Sequence, residues 1–270
     1  MANSDNFEPF DRAMRRRVRN RAAAGYEAYA FLKEAAAEDL AARAAGFDRR
    51  WEDCLDLGAH DGRLGRRIPA ERTVFADAST SFARAAGGVV CDEDRLPFAD
   101  ESFDLVVSAL SLHGVNDLPG ALVQIRRALR PGGVFLASLI GGTSAQTVRQ
   151  ALLEADLEES GEAAARMMPM VDPAEMPGLL QRAGFADPVV DTATQRIGYR
   201  EVGTMRADLR GMGETNMLAA RDRRPLGRRH AARMMAAIEE LRGDDGRIPV
   251  FVEIVTLTGL RPEVAEVGAL

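Results

Sequence analysis

Leu55-Asp56-Leu57-Gly58-Ala59-His60-Asp61-Gly62 is an apolar run that ends in a glycine turn, and Asp77 closes the next apolar run, Thr73 to Ala76. A glycine at a strand end can take positive φ and lets backbone N–H groups approach a ligand closely. Asp56, just ahead of the turn, can accept hydrogen bonds from a cationic or amino group. Two turn glycines alone fit an ordinary tight turn equally well. Asp77 shifts the reading toward a nucleoside site. It stands about 20 residues after Gly58, the spacing of a ribose-binding acid. As the last residue of a predicted strand it lies at the sheet's carboxyl edge, where open α/β sheets bind ligands.

The motif is not a dinucleotide fingerprint. Gly-x-Gly-x-x-Gly is required for close pyrophosphate approach, and His60 stands where the middle glycine belongs. This favours a nucleoside ligand without a pyrophosphate, such as S-adenosylmethionine. Asp92, Glu93 and Asp94 follow a third short strand, Val89 to Cys91, and precede Leu96-Pro97-Phe98. An acid there can accept the amino group of adenine with Leu96 or Phe98 beside the ring; a plain charged loop reads equally well. His113, Asn116 and Asp117 follow a fourth strand, Phe103 to Leu110, and overlook the reactive side of such a site. Asp117 also reads as an N-cap. His60, His113 and His230 are too scattered for a metal site, and no Gly-x-Ser-x-Gly, His-Glu-x-x-His or P-loop is present.

Outward from this centre the chain alternates strands and helices. A helix is expected through Leu64, another from an N-cap at Ser79 to Ala86, and a third over Leu118 to Leu129. Pro131-Gly132-Gly133 then turns the chain into a fifth strand, Val134 to Ile140. Such alternation means a parallel sheet with right-handed crossovers. After Gly141-Gly142 come a charged helix (Ser144 to Glu159), a Met-rich segment and a helix from Ala174 to Gly184. A strand (Val189 to Ile197), two helices (Tyr199 to Met212, Leu226 to Arg242) and a β-branched strand (Val250 to Leu257) complete the chain. Phe10 to Phe47 is rich in Ala, Arg, Glu and Leu and reads as one or two amphipathic helices.

Composition narrows the class. With 270 residues, 46% hydrophobic and 28% charged, the chain reads as globular, and its net charge of −6 gives no reason to expect nucleic-acid binding. Arg12, Arg15, Arg16, Arg17, Arg19 and Arg21 form a local basic cluster, and Lys33 is the single lysine. The arginine bias reads first as genome composition; the cluster otherwise solvates a helix or meets an acidic partner. Cys54 and Cys91 lie in apolar runs without metal spacing, as expected of reduced core thiols in a cytoplasmic protein. No run approaches the roughly 20 apolar residues of a membrane span, and Met1 to Pro9 does not read as a secretory signal.

Assembled, these residues resemble a class I S-adenosylmethionine-dependent methyltransferase of the type 11 group. Asp56-Leu57-Gly58 with Gly62 is similar to its first motif, Asp77 to its ribose acid, and Asp92 and Glu93 to its adenine-side acids. Leu96 to Asp104 is similar to the approach to its fourth strand, and Leu129-Arg130-Pro131-Gly132-Gly133 to the turn before its fifth. A narrower resemblance rests on Phe10-Asp11-Arg12, Phe103 to Leu118, Arg182 to Phe185, Val190 to Thr192 and Gly211 to Asn216. It is to the mitochondrial respiratory complex I assembly factors of methyltransferase fold, understood as arginine hydroxylases. A looser one is to the malonyl carrier-protein methyltransferases of biotin synthesis. His60 and Gly114 depart from these patterns, at the methionine side and the substrate side respectively.

The resemblance implies a Rossmann-like α/β fold: a seven-stranded, mostly parallel sheet with an antiparallel last strand. It divides the chain into a helical cap segment (1–47) and a methyltransferase domain (48–270), with a helical insert at about 141–176; cap and insert are expected to cover the cofactor cleft. The implied cofactor is S-adenosyl-L-methionine, bound by Asp56, Gly58, Ala59, Gly62, Asp77, Ala78, Asp92, Glu93 and Ser108, with His113 as the candidate catalytic base and no metal. The implied partner is a protein substrate, a respiratory complex I subunit foremost, with membrane association only through that partner. Methyl transfer leads; arginine hydroxylation, a non-catalytic chaperone role and carboxyl methylation of a carrier protein stay open.

Overall fold

The computed structural model describes residues 8–263. Most of Met1 to Pro9, and the outer ends of the 1–47 and 48–270 segments, lie outside the described residues. The chain runs α1 (Arg12–Ala22), a 3-10 turn (Ala23–Tyr29), α2 (Phe31–Ala45), β1 (Trp51–Leu57), β2 (Ala70–Asp77), α3 (Thr80–Ala86), β3 (Val89–Val90) and β4 (Phe103–Ala109). It continues with α4 (Leu118–Ala128), β5 (Leu129–Gly141), α5 (Gln146–Ser160), α6 (Met176–Arg182), β6 (Ala186–Tyr199), α7 (Val202–Met212), α8 (Arg228–Glu239) and β7 (Ile248–Leu260).

The strands form one seven-stranded sheet in the order β3-β2-β1-β4-β5-β7-β6. β1 to β5 pair in parallel, whereas β7 runs antiparallel between β5 and β6. The order reverses between β1 and β4, and the crevice beyond their carboxyl ends is the switch point at which open α/β sheets bind ligands. Both faces are covered, as expected for parallel strands. On β5, Val134 and Leu136 join one core with Leu40, Trp51 and Ile254, while Phe135, Ala137 and Leu139 join another with Leu122, Ile125 and Leu180.

Local details differ from the sequence expectation in three places. No helix runs through Leu64: Gly62 takes φ +79° and a 3-10 turn follows at Gly65–Arg67, because the Asp56 carboxylate accepts from the Gly65 N–H at 2.9 Å. Pro131-Gly132-Gly133 lies inside the start of β5, held by Gly132 N–H donating to Arg261 O and Arg261 N–H donating to Gly133 O. In the 141–176 insert, α5 packs on α8 through Ala151, Ala155, Met234 and Ala237. The insert meets the end of β5 where Gly142 N–H donates to Val171 O at 2.8 Å, and Asn216 Nδ2 donates to Ala165 O. The expected N-caps do form: Ser79 accepts from Phe82 N–H and Asp117 from Gly120 N–H.

α2 belongs to the core, with Ala37, Leu40 and Ala44 fully buried. Leu40→Ala should therefore lower stability by about 2–5 kcal/mol in urea denaturation; a loss near zero would mean that α2 is not docked on the sheet.

Candidate functional site

The site grows from the carboxyl ends of β1, β2 and β4. Gly58 ends β1 with φ +67°. A Cβ there would collide with the Ser111 side chain and approach Glu93 Oε1, so the position needs glycine on two counts. His60 also takes positive φ, 53°, and turns its ring inward, where it stacks on Tyr26 with centroids 5.2 Å apart and meets Phe82 at 5.0 Å. Asp77, at the tip of β2, is fully buried: its Oδ2 accepts from His60 N–H at 2.9 Å and its Oδ1 from Ser79 N–H at 2.7 Å. Ala59 and Ala78 are buried beside these two tips.

The dominant contacts come from α1. Arg12, Arg15, Arg16 and Arg19 recur at i, i+3, i+4 and i+7, one face of a helix. Arg19 Nη2 donates to Asp77 Oδ2 at 2.6 Å. Arg15 forms a two-pronged pair with Glu93, at 2.5 and 2.7 Å, and Ser111 Oγ donates to the same carboxylate at 2.6 Å. Arg16 donates to Asp92 at 2.5 Å, and Arg12 to both oxygens of Asp94, at 2.6 and 2.8 Å. Asp77, Asp92, Glu93 and Asp94 thus each have an arginine of one helix as partner, whereas Asp56 does not.

Lys33, on α2, completes the cluster. It is buried, and Nζ donates to Gly58 O at 2.9 Å and Ala109 O at 2.6 Å. His60 Nδ1 lies 2.8 Å from Gly58 O, 2.9 Å from Lys33 Nζ and 3.2 Å from Arg19 Nη2. Burial, then the charges of Arg19 and Lys33, hold its pKa well below the ordinary range. Burial pushes Asp56 up to about 6 against the pull of Lys33, and burial brings Lys33 down to about 8 against the pull of Asp56. Glu93 goes the other way: burial opposes its charge, yet Arg15 wins and lowers it to about 2.

The remaining expected residues sit apart from this network. Ser108, on β4, is buried and its Oγ has no hydrogen-bond partner; Asp56 Oδ1 and Arg19 Nε share that condition. His113 lies beside Glu214, with Nε2 3.4 Å from Glu214 Oε2 and Nδ1 3.5 Å from Ile140 N. Burial of Glu214 opposes its charge, but His113 holds its pKa below the usual range. Asn116 ties the start of α1 instead, Oδ1 accepting from Phe10 N–H at 2.8 Å. Leu96 and Phe98 pack on the core, Phe98 edge-on to Phe103 at 5.3 Å. Sequence reading missed Arg15, Arg19, Lys33, Ser111 and Glu214. The arginines did carry a signal, a helical stripe of four cations matching four acids.

Because Lys33 is the single lysine, its ammonium can be followed alone. With lysine labelled with carbon-13, the side-chain resonance should titrate near pH 8. Its charged form is disfavoured by folding, so the associated cost is present below pH 8 and fades as pH rises toward the unfolded value of 10.5. A midpoint at or above pH 10 would show that the ammonium is solvated.

The chain is similar to known proteins in sequence and fold. A family profile described as a methyltransferase domain matches residues 55–137. The arginine-hydroxylase NDUFAF5, mitochondrial, of Danio rerio is 34% identical over 94% of this chain and 83% of its own length; the Homo sapiens protein is 34% identical over 93% and 76%. The malonyl-[acyl-carrier protein] O-methyltransferase of Laribacter hongkongensis is 31% identical over 90% and 87%. Among solved structures, a putative methyltransferase of Bacillus halodurans superposes with TM-score 0.59 at 15% identity, over 83% of this chain and 99% of that one, which speaks to fold alone. The chain belongs to the methyltransferase-domain family that includes these relatives.

Proposed function

We propose that the protein is a S-adenosylmethionine-dependent methyltransferase acting on a protein partner, in the setting of respiratory complex I assembly. The observation that carries this reading is the pair Asp77 and Glu93, carboxylates at the switch point on either side of Gly58. Asp77 is assigned to the ribose hydroxyls, Glu93 and Asp92 to the adenine amino group, and Asp56, Gly58, Ala59, Gly62, Ala78 and Ser108 to the surrounding wall. The setting is inferred from relatives named as mitochondrial arginine hydroxylases, and the partner is inferred to be a complex I subunit.

The residues fit the cofactor in chemistry but not in the space they leave. Two buried carboxylates and unpartnered oxygens on Asp56 and Ser108 suit a ligand rich in hydroxyl and amino groups. With Asp77 and Glu93 fully covered by Arg19 and Arg15, however, the described arrangement has no room for it. The cofactor supplies an electrophilic methyl group on a sulfonium; the chain supplies the acids that hold it and the helix that covers them. Free, buried Cys54 and Cys91 fit a reducing compartment, and we place the protein in the cytoplasm. No helix of the described residues is long and apolar enough to cross a membrane.

A second reading, hydroxylation of a protein arginine, is favoured by the 34% identity to the arginine hydroxylases over most of both chains. One incubation separates the readings. The protein, S-adenosylmethionine and a candidate complex I subunit or carrier protein are combined in air-saturated buffer with a two-electron reductant, which hydroxylation requires, and the products are weighed. A gain of about 14 Da is expected for methylation, about 16 Da means hydroxylation, and no gain supports a chaperone. Asp77→Asn should weaken S-adenosylmethionine binding at least tenfold by calorimetry, on the order of a lost charge-assisted hydrogen bond; unchanged affinity would overturn the ribose assignment.

A further inference from the structure

We propose that α1 is an internal competitor of the cofactor: its arginine face and S-adenosylmethionine occupy the same carboxylates, so cofactor binding requires α1 to leave. The proposal rests on the cofactor reading above. Asp77 already accepts from Arg19, His60 N–H and Ser79 N–H, and Glu93 from both prongs of Arg15 and from Ser111. Three of about four lone-pair directions on each carboxylate are thus taken, and both groups are fully buried. A pair of ribose hydroxyls needs two directions on Asp77, so Arg19 must give up its place, and the buried Glu93 is reached only when Arg15 withdraws.

The buried residues of α1 are Arg15, Val18, Arg19 and Ala22, so half of its inner face is charged. Ala22, Tyr26, Ala30 and Phe82 form a small cluster of their own, separate from the two cores against the sheet. A helix docked in part through buried ion pairs gains little net stability from them, because desolvation offsets the attraction. The closed form also leaves Arg19 Nε, Asp56 Oδ1 and Ser108 Oγ without partners.

Gly25 takes non-helical angles, φ −130° and ψ 17°, between α1 and α2, and nothing lies within 4 Å of where its Cβ would be, as a hinge requires. α2 is fixed by Leu40 and Ala37, so the chain can bend at Gly25 with the core intact. At its other end α1 is fastened by Asp11, whose side chain accepts from Met14 N–H at 2.9 Å and from Arg221 at 2.9 Å.

The apparent affinity for the cofactor is therefore the intrinsic affinity reduced by the fraction of molecules with α1 open. Asp11→Ala removes the N-cap and the Arg221 tie without touching any strand-end acid. It should tighten S-adenosylmethionine binding about fivefold, the scale of a lost cap. In the unmodified full-length protein, adding S-adenosylmethionine should speed hydrogen exchange of the α1 amides while leaving α2 protected. Both changes together support the competition. Equal affinity for Asp11→Ala, or α1 exchange that is unchanged or slowed, overturns it and leaves the cofactor reading standing. If neither the unmodified protein, nor Asp11→Ala, nor the double variant Arg15→Gln/Arg19→Gln binds S-adenosylmethionine, both the competition and the cofactor reading fail.

Discussion

Four arginines on one face of α1, set against four acids at the ends of the parallel strands, are the interaction around which the site is arranged. Arg19 meets Asp77, Arg15 meets Glu93, Arg16 meets Asp92 and Arg12 meets Asp94. Exposure of the arginine side chains rises outward from the inner pairs, from 2% for Arg19 and 6% for Arg15 to 18% for Arg12 and 47% for Arg16. The inner two pairs therefore carry the larger desolvation cost, while in the outer two a buried acid meets an arginine that keeps part of its hydration.

Burying charge in this way makes the site selective before it makes it stable. Removing one partner of a buried pair costs about 3–5 kcal/mol, because the other is left uncompensated, although the intact pair adds little over a well-packed apolar substitute. Asp56, Asp77 and Glu93 face Arg15, Arg19 and Lys33, so the buried charges nearly cancel. His60 stays neutral within that balance because an imidazolium would add a fourth buried cation. Its Nδ1 then sits among Gly58 O, Lys33 and Arg19, and its ring offers a flat surface to Tyr26 and Phe82. A glycine at position 60 could adopt the same backbone angle but would supply neither function.

The sheet makes this concentration of charge possible. Parallel strands bring their carboxyl ends to one edge, and the reversal of strand order between β1 and β4 opens a crevice there. Val106, Val107, Phe135 and Leu136 fill both faces below that edge and hold the tips in register. The polar network thus stands on a rigid apolar base, and its variable part is the segment docked from outside. His113 and Glu214 show the same division: the histidine lies just past β4, and the carboxylate that engages it comes from the loop after α7.

The sequence by itself determined the fold and the position of the acids. Alternating apolar runs and capped helices have local causes, so Asp77 at a strand end, Gly58 at positive φ and the caps at Ser79 and Asp117 could be read from spacing. It also determined the cofactor class, since His60 replaces the glycine that a pyrophosphate needs. Only the tertiary structure decided what the acids touch. The stripe Arg12, Arg15, Arg16 and Arg19 is legible as a helix face, but its partners lie 76 to 82 residues away for Asp92, Glu93 and Asp94, and nothing local links them. Lys33 was visible as the single lysine and Glu214 as part of a motif, yet the burial of one and the contact of the other with His113 follow from packing. Local spacing specifies backbone and caps, whereas the pairing of buried charges is set by which surfaces the folded chain brings together.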